Sequence, residues 1–131
     1  MRAALAFSIF ALLSNSVIAQ DVSPDGTWRD EFGTTIEFSL CGEGTQLCAV
    51  LVDVQGESRT EANLAFLNQQ IMQADQTAAN EWKGTVQFDG SEAQGTVTQV
   101  AADTIEIQGC RAAVLCQTLS FTRVPEETSV Q

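Results

Sequence analysis

The sequence predicts an all-β domain of about eight antiparallel strands, a barrel or a sandwich, with one short helix and two local disulfides. Three observations carry that expectation. Apolar residues alternate with a period of two along most of the chain, the spacing of a half-buried strand rather than of a helix. Turn residues interrupt these runs at short, regular intervals, as barrels and sandwiches require. The four cysteines fall as two close pairs, Cys41 with Cys48 and Cys110 with Cys116, each flanked by strand-like runs.

The run GTWRDE opens the domain and ends in a turn at Phe32-Gly33. TTIEFSLC then sets Ile36, Phe38 and Leu40 on one face against Thr35, Glu37 and Ser39 on the other. LCAVLVDV is apolar almost throughout, the pattern of a strand covered on both faces. Residues 57–80 break the alternation: Thr60 and Glu61 begin a short helix that turns Leu64, Ala65 and Leu67 inward, and residues 69–75 form a further strand. EWKGTVQF aligns Trp82, Gly84, Val86 and Phe88 and leads into a turn at Asp89-Gly90-Ser91. QGTVTQV and TIEIQGC are joined by a tight turn at Ala101-Ala102-Asp103, with Ile105 and Ile107 facing away from Glu106 and Gln108. CQTLSFTRV closes the set and puts Leu119, Phe121 and Arg123 on one face.

The compartment decides how the cysteines are read. Met1-Arg2 is followed by an apolar run of eleven residues, Ala3 to Leu13, then polar SNS and small-residue VIA. That layout is a secretory leader, residues 1–19, with cleavage between Ala19 and Gln20; eleven residues are too few to span a hydrocarbon core that needs about 20. The expected product is a soluble, monomeric domain of residues 20–131, exported to the periplasm or beyond, with no membrane span. All four cysteines lie in that part, in a compartment where disulfides persist. Four cysteines allow three pairings, and hairpin geometry selects among them: CGEGTQLC and CRAAVLC are short turns between strands, so each pair sits within bridging distance across its own hairpin. Two such staples contribute about 2–2.5 kcal/mol each on the loop-entropy model.

What the chain lacks is equally informative. It has no histidine and no tyrosine. A zinc site would use closer cysteine knuckles, a redox couple would be Cys-x-x-Cys, and a thiol nucleophile would need an imidazole. No cofactor and no metal are expected. Of the acids, Asp30, Glu31, Asp53, Glu81 and Asp89 draw notice, because glycoside hydrolysis needs two carboxylates about 5–10 Å apart; most lie at strand ends, where a solvated side chain is the plainer account. DVSPDG does not have the spacing of a calcium loop. The expectation is a protein that is not an enzyme. Its charge is −11, and −12 once Arg2 leaves with the leader, five basic residues against 17 acidic. Such a surface repels nucleic acid and anionic lipid.

Several stretches occur together in a familiar order: DGTWRDEFG, IEFSLCGEGTQLCAVLVDV, EWKGTVQFDG, IEIQGC and LCQTLSFTRV. Over about residues 25–124 the chain resembles a family of small exported proteins of Gram-negative bacteria, known only as a domain of unknown function with a lipocalin-like β-barrel. The strongest points are Gly26-x-Trp28, the first cysteine pair, Trp82-x-Gly84, Gly109-Cys110 and Thr122-Arg123-Val124. The chain departs from the family at Asn63-Leu64, where Asn-Pro is usual, and at Phe88-Asp89-Gly90. The resemblance implies an up-and-down barrel closed where Trp28, on the first strand, meets Arg123, on the last; it brings no catalytic residues. Two binding roles stay open. One is a small apolar ligand held inside the barrel; the other is an acidic envelope protein that binds or inhibits a basic protein partner.

Overall fold

The structure, a computed structural model, describes residues 23–88, 91–111 and 115–125; the leader-like segment and the expected Asp89-Gly90 turn lie outside them. Among the described residues eight strands close into one antiparallel up-and-down barrel: β1 (Gly26–Arg29), β2 (Thr34–Cys41), β3 (Gln46–Val54), β4 (Gln70–Ala78), β5 (Glu81–Phe88), β6 (Ser91–Ala101), β7 (Thr104–Arg111) and β8 (Leu115–Arg123). Each strand pairs with its sequence neighbour, and β1 pairs with β8 to complete the ring. Closure removes the free edges that an open sheet would present.

The period-two pattern explains the interior. Phe38, Ala49, Met72, Val86 and Ala93 stand opposite one another across β2 to β6, and all are buried. Ile105, Ile107 and Phe121 continue the lining on β7 and β8, in one cluster with the two tryptophans, Trp28 and Trp82. Burying one such side chain stabilises the fold by about 1.5–3 kcal/mol, so this lining, with no buried charge in it, is the main source of stability.

Strand β3 departs from the expectation of cover on both faces. Leu47, Ala49 and Leu51 are buried, Val50 is half-buried and Val52 is 38 % exposed. The apolar run reflects a bulge instead. Thr35 pairs with Asp53 but Ile36 with Leu51, leaving Val52 as the extra residue. The bulge shifts the phase of the strand, so that Leu51 and Val54 both point inward although they are three positions apart. A second bulge, at Ile71, lies between the Ala49–Met72 and Val50–Gln70 pairs. The first strand is also shorter than GTWRDE suggests, and ends at Arg29.

The two ends of the barrel differ. At one end lie the Gly42–Thr45 turn, the Ala79-Asn80 turn, the Ala102-Asp103 turn and the lead-in Ser23–Asp25. The other end carries the Asp30–Gly33 turn and the long connection from β3 to β4. That connection contains a 3-10 turn (Gly56–Ser58) and one short helix, α1 (Glu61–Leu64). Thr60 caps α1 by accepting from the Asn63 amide at 3.1 Å, as the sequence led one to expect of a threonine before an acidic first turn. Leu64, Phe66 and Leu67 pack against the core from this segment, whereas Ala65, expected to turn inward, is exposed. Each end has one disulfide. Cys110 and Cys116 face each other directly, with Cα atoms 4.0 Å apart. Cys41 and Cys48 bridge on a diagonal, because Cys41 pairs with Gln46 and Cys48 with Ser39; their Cα atoms are 5.9 Å apart.

A row of small inward residues crosses the wall: Ala74, Gly84, Gly95 and Gly109 are in register on β4 to β7. Glycine kinks in register are how a sheet bends sharply enough to close. At Gly84 the approach is tight, since a methyl group there would collide with the Gln73 carbonyl and lie 2.8 Å from the Ala74 Cα. At Gly109 the nearest atom would be the Ala93 Cβ at 3.9 Å. Gly84→Ala should therefore cost about 1–3 kcal/mol, whereas Gly109→Ala should be neutral or stabilise by up to about 1 kcal/mol. Urea melts of the oxidised variants distinguish this from equal effects at both positions, which would mean that the row has no role in bending the wall.

Candidate functional site

Arg123 and Trp28 are brought together at the end that carries the lead-in. They pair directly across the β1–β8 seam, and the guanidinium carbon lies 4.3 Å from the centre of the indole ring. Trp28 is fully buried, meets Phe38 edge-on at 6.4 Å, and donates its indole N–H to the Pro24 carbonyl at 2.9 Å. A cation over an indole face contributes about 0.5–2 kcal/mol. Arg123 does more than stack. Its Nη1 donates to the Asp25 carbonyl and its Nη2 to the Ser23 carbonyl, both at 2.7 Å, while Nε donates to Ala102 at 3.1 Å. One side chain thus ties the lead-in, the β6–β7 turn and the seam. A lysine ammonium could not fill this planar fork.

Gly26 is part of the same arrangement. Its φ of +136° suits glycine, and a methyl group on it would come within 2.8 Å of Arg123 Nη1. Gln99, almost fully buried nearby, donates Nε2 to the Ser23 carbonyl at 3.3 Å. Its Oε1 is the one buried side-chain polar atom without a partner among the described residues.

The acids singled out from sequence do not converge. Asp30 is buried because it builds a turn: Oδ1 accepts from the Phe32 amide at 2.9 Å and the Thr34 amide at 2.8 Å. Glu31 is exposed beside it. Asp53 accepts from the Gln55 side chain at 3.1 Å. Glu81 lies at the opposite end of the barrel, where it accepts from Thr77 at 2.9 Å and is 4.0 Å from Lys83. Asp89 lies outside the described residues. Among the described residues no group of three or more His, Cys, Asp or Glu is arranged to hold a metal ion.

The Asp30 turn has a further effect that the sequence reading missed. It folds the chain back after only four residues of β1, so β1 meets the nine-residue β8 at just two pairs, Trp28–Arg123 and Arg29–Thr122. Above that point β8 runs on without a partner on this side among the described residues. Leu115 and Leu119 occupy inward positions of the register, yet Leu115 is 69 % exposed and Leu119 half-buried. A cavity of about 230 Å³ opens there between Phe32, Thr34, Asn63, Gln117 and Leu119. A signal was present in Asp30-Glu31-Phe32-Gly33, since aspartate favours turns by accepting the amide two residues on.

No family model, curated protein or solved structure matches the chain. The case for a role therefore rests on this geometry and on the residues themselves.

If the clamp is real, Arg123→Lys should cost about 1–2 kcal/mol and Trp28→Phe about 1–3 kcal/mol. The double variant should lose roughly 0.5–1 kcal/mol less than the sum, because each single change already breaks the shared contact. Strictly additive losses in denaturant melts would mean that the two side chains act independently.

Proposed function

We propose that the protein is an exported, non-enzymatic barrel of the lipocalin-like kind whose role is to bind a basic protein partner. The observation that carries this reading is the fate of its few cations. Arg123 is bonded to three backbone carbonyls, Arg29 to the Thr35 hydroxyl, and Arg59 to the Val54 carbonyl. Among the described residues the single ion pair is Lys83–Glu81. Among the described residues the other carboxylates carry no ion pair, in a chain with a net charge of −11; the Arg111 side chain lies outside the description. Uncompensated charge of one sign steers a partner of the other sign and fixes its orientation.

Export is supported by the leader-like residues 1–19 and by two disulfides, which persist in oxidising compartments. The absence of histidine, the bridged cysteines and the dispersed acids favour binding over catalysis. A small apolar ligand is a second reading, favoured by Phe32 and Leu119 in the cavity at the end of the barrel that carries α1. At about 230 Å³ that cavity is smaller than most small-molecule pockets, roughly 300–1,000 Å³.

Affinity capture from envelope extract, read by mass spectrometry at low and high salt, tests the proposal. A basic protein should be retained and then released as salt rises, because screening weakens such contacts. Retention of no basic protein, together with saturable uptake of the apolar dye 1-N-phenylnaphthylamine, would replace it with the ligand-carrier reading.

A further inference from the structure

We propose that the unpaired edge of β8, from Cys116 to Ser120, accepts an extended cationic segment of the partner as an added strand. This rests on the reading of the protein as a receptor for a basic partner, and specifies how and where that partner docks.

The backbone supplies the first argument. The Arg123 amide donates to the Asp103 carbonyl, on the β7 side, and the Val124 amide to the Thr27 carbonyl, on the β1 side. Amide and carbonyl of one strand residue point to the same side, and the side alternates along the strand. The even-numbered residues of β8 therefore face the lane that β1 vacates. Thr122 uses its position to pair with Arg29. Ser120, Thr118 and Cys116 have no ladder partner there among the described residues, and all three are exposed. Natural proteins usually guard such an edge with lysine, proline or a bulge. The run Leu115–Ser120 reads LCQTLS and carries neither residue, and no register shift interrupts its pairing with β7.

The second argument is the room on both sides of the lane. On the inner side lies the cavity of about 230 Å³ that includes Phe32, Gln117 and Leu119. On the outer side a second cavity of about 590 Å³ includes Glu31, Ser120 and Thr122, and Asp30 borders both. An added strand sends successive side chains to opposite faces, so it would fill the two clefts alternately. Main-chain bonds to β8 would supply affinity, and the clefts selectivity.

Charge names the occupant. The inner cleft is bordered by Asp30 and Glu57, the outer by Asp30 and Glu31, and Glu106 stands opposite Ser120 on β7. Arg29 and Arg123 also border the outer cleft, Arg29 bonded to the Thr35 hydroxyl and Arg123 to three backbone carbonyls, so the acidic excess there comes from Glu106 on the neighbouring strand. A second copy of this chain would bring the same acids to the same place at a net charge of −11 per chain, and like charges oppose such pairing. The fit is to a segment that alternates apolar residues, for the Phe32–Leu119 side, with basic ones, for the Glu31–Glu106 side.

The test uses the oxidised protein and a fluorescent, capped octapeptide of alternating lysine and valine, followed by anisotropy. The parent peptide should bind saturably. Methylating alternate backbone nitrogens in one of the two frames should weaken binding at least tenfold, since the donors facing β8 are removed while charge and composition stay the same. Thr118→Pro should have an effect of similar size with an unchanged melt, because it removes one docking amide from an edge that donates to nothing among the described residues. Equal binding of the parent and both methylated peptides would overturn strand addition while leaving a basic partner in place, and does not depend on the variant folding. A dimer in sedimentation that Thr118→Pro dissolves would assign the lane to a second copy instead. Failure of the parent peptide to bind at low salt would overturn the docking mode and the basic-partner reading together.

Discussion

The planar guanidinium of Arg123 lies against the indole of Trp28 while its N–H groups reach three backbone carbonyls, those of Ser23, Asp25 and Ala102. The seam it secures is short, with only two residue pairs joining first strand to last. Ladder hydrogen bonds on that scale contribute roughly 0.5–1.5 kcal/mol each, too little to hold the two ends of a barrel wall together on their own. The clamp adds cation–π attraction, packing and three charge-assisted bonds at the same place. Gly26 makes room for it, and the Trp28 N–H to Pro24 fixes the ring on which it rests.

Concentrating closure at one end leaves the other free to differ. The Asp30 carboxylate turns the chain out of β1 and into β2, so the upper part of β8 stands beyond the reach of its would-be neighbour. The Cys110–Cys116 bridge spans the hairpin at that end and ties β7 to the first residues of β8, holding extended a strand that has lost its support on one side. Ordering such a strand in advance lowers the entropy that a partner would otherwise have to offset on binding. The 3-10 turn and α1 are anchored to the Asp30–Gly33 turn through the Ser58 amide and the Phe32 carbonyl, 3.1 Å apart, and form the far wall of the cleft. Fold and candidate site share one cause, the length of β1.

Much of the barrel was legible because its signals are local. Ile36 and Phe38, or Ile105 and Ile107, announce a buried face by alternation alone, and each cysteine pair lies within one hairpin. Thr60 marks the start of α1 in the same way. What escaped notice depends on pairing. Val52 reads as one more apolar residue of a covered strand until its pairing reveals the bulge. Gly84, Gly95 and Gly109 form a row only once β5, β6 and β7 are in register. The partners of Arg123 are carbonyl oxygens, which any residue supplies, so nothing in Ser23, Asp25 or Ala102 marks them in the sequence. The open lane was the least legible feature, because it is a difference in length between two strands far apart in the chain.

Amide hydrogen exchange along β8, followed residue by residue by NMR on the native protein, tests this account most directly. The clamp and the vacated lane together predict an alternating record. Leu119 and Phe121, which face β7, and Thr122 and Val124, which face β1, should exchange slowly, while Thr118 and Ser120 exchange near the rate of unfolded chain. Protection of Thr118 and Ser120 equal to that of Phe121 would show that the lane is already filled. Rapid exchange at Thr122 and Val124 would show that the seam is not held. Either result would contradict the account.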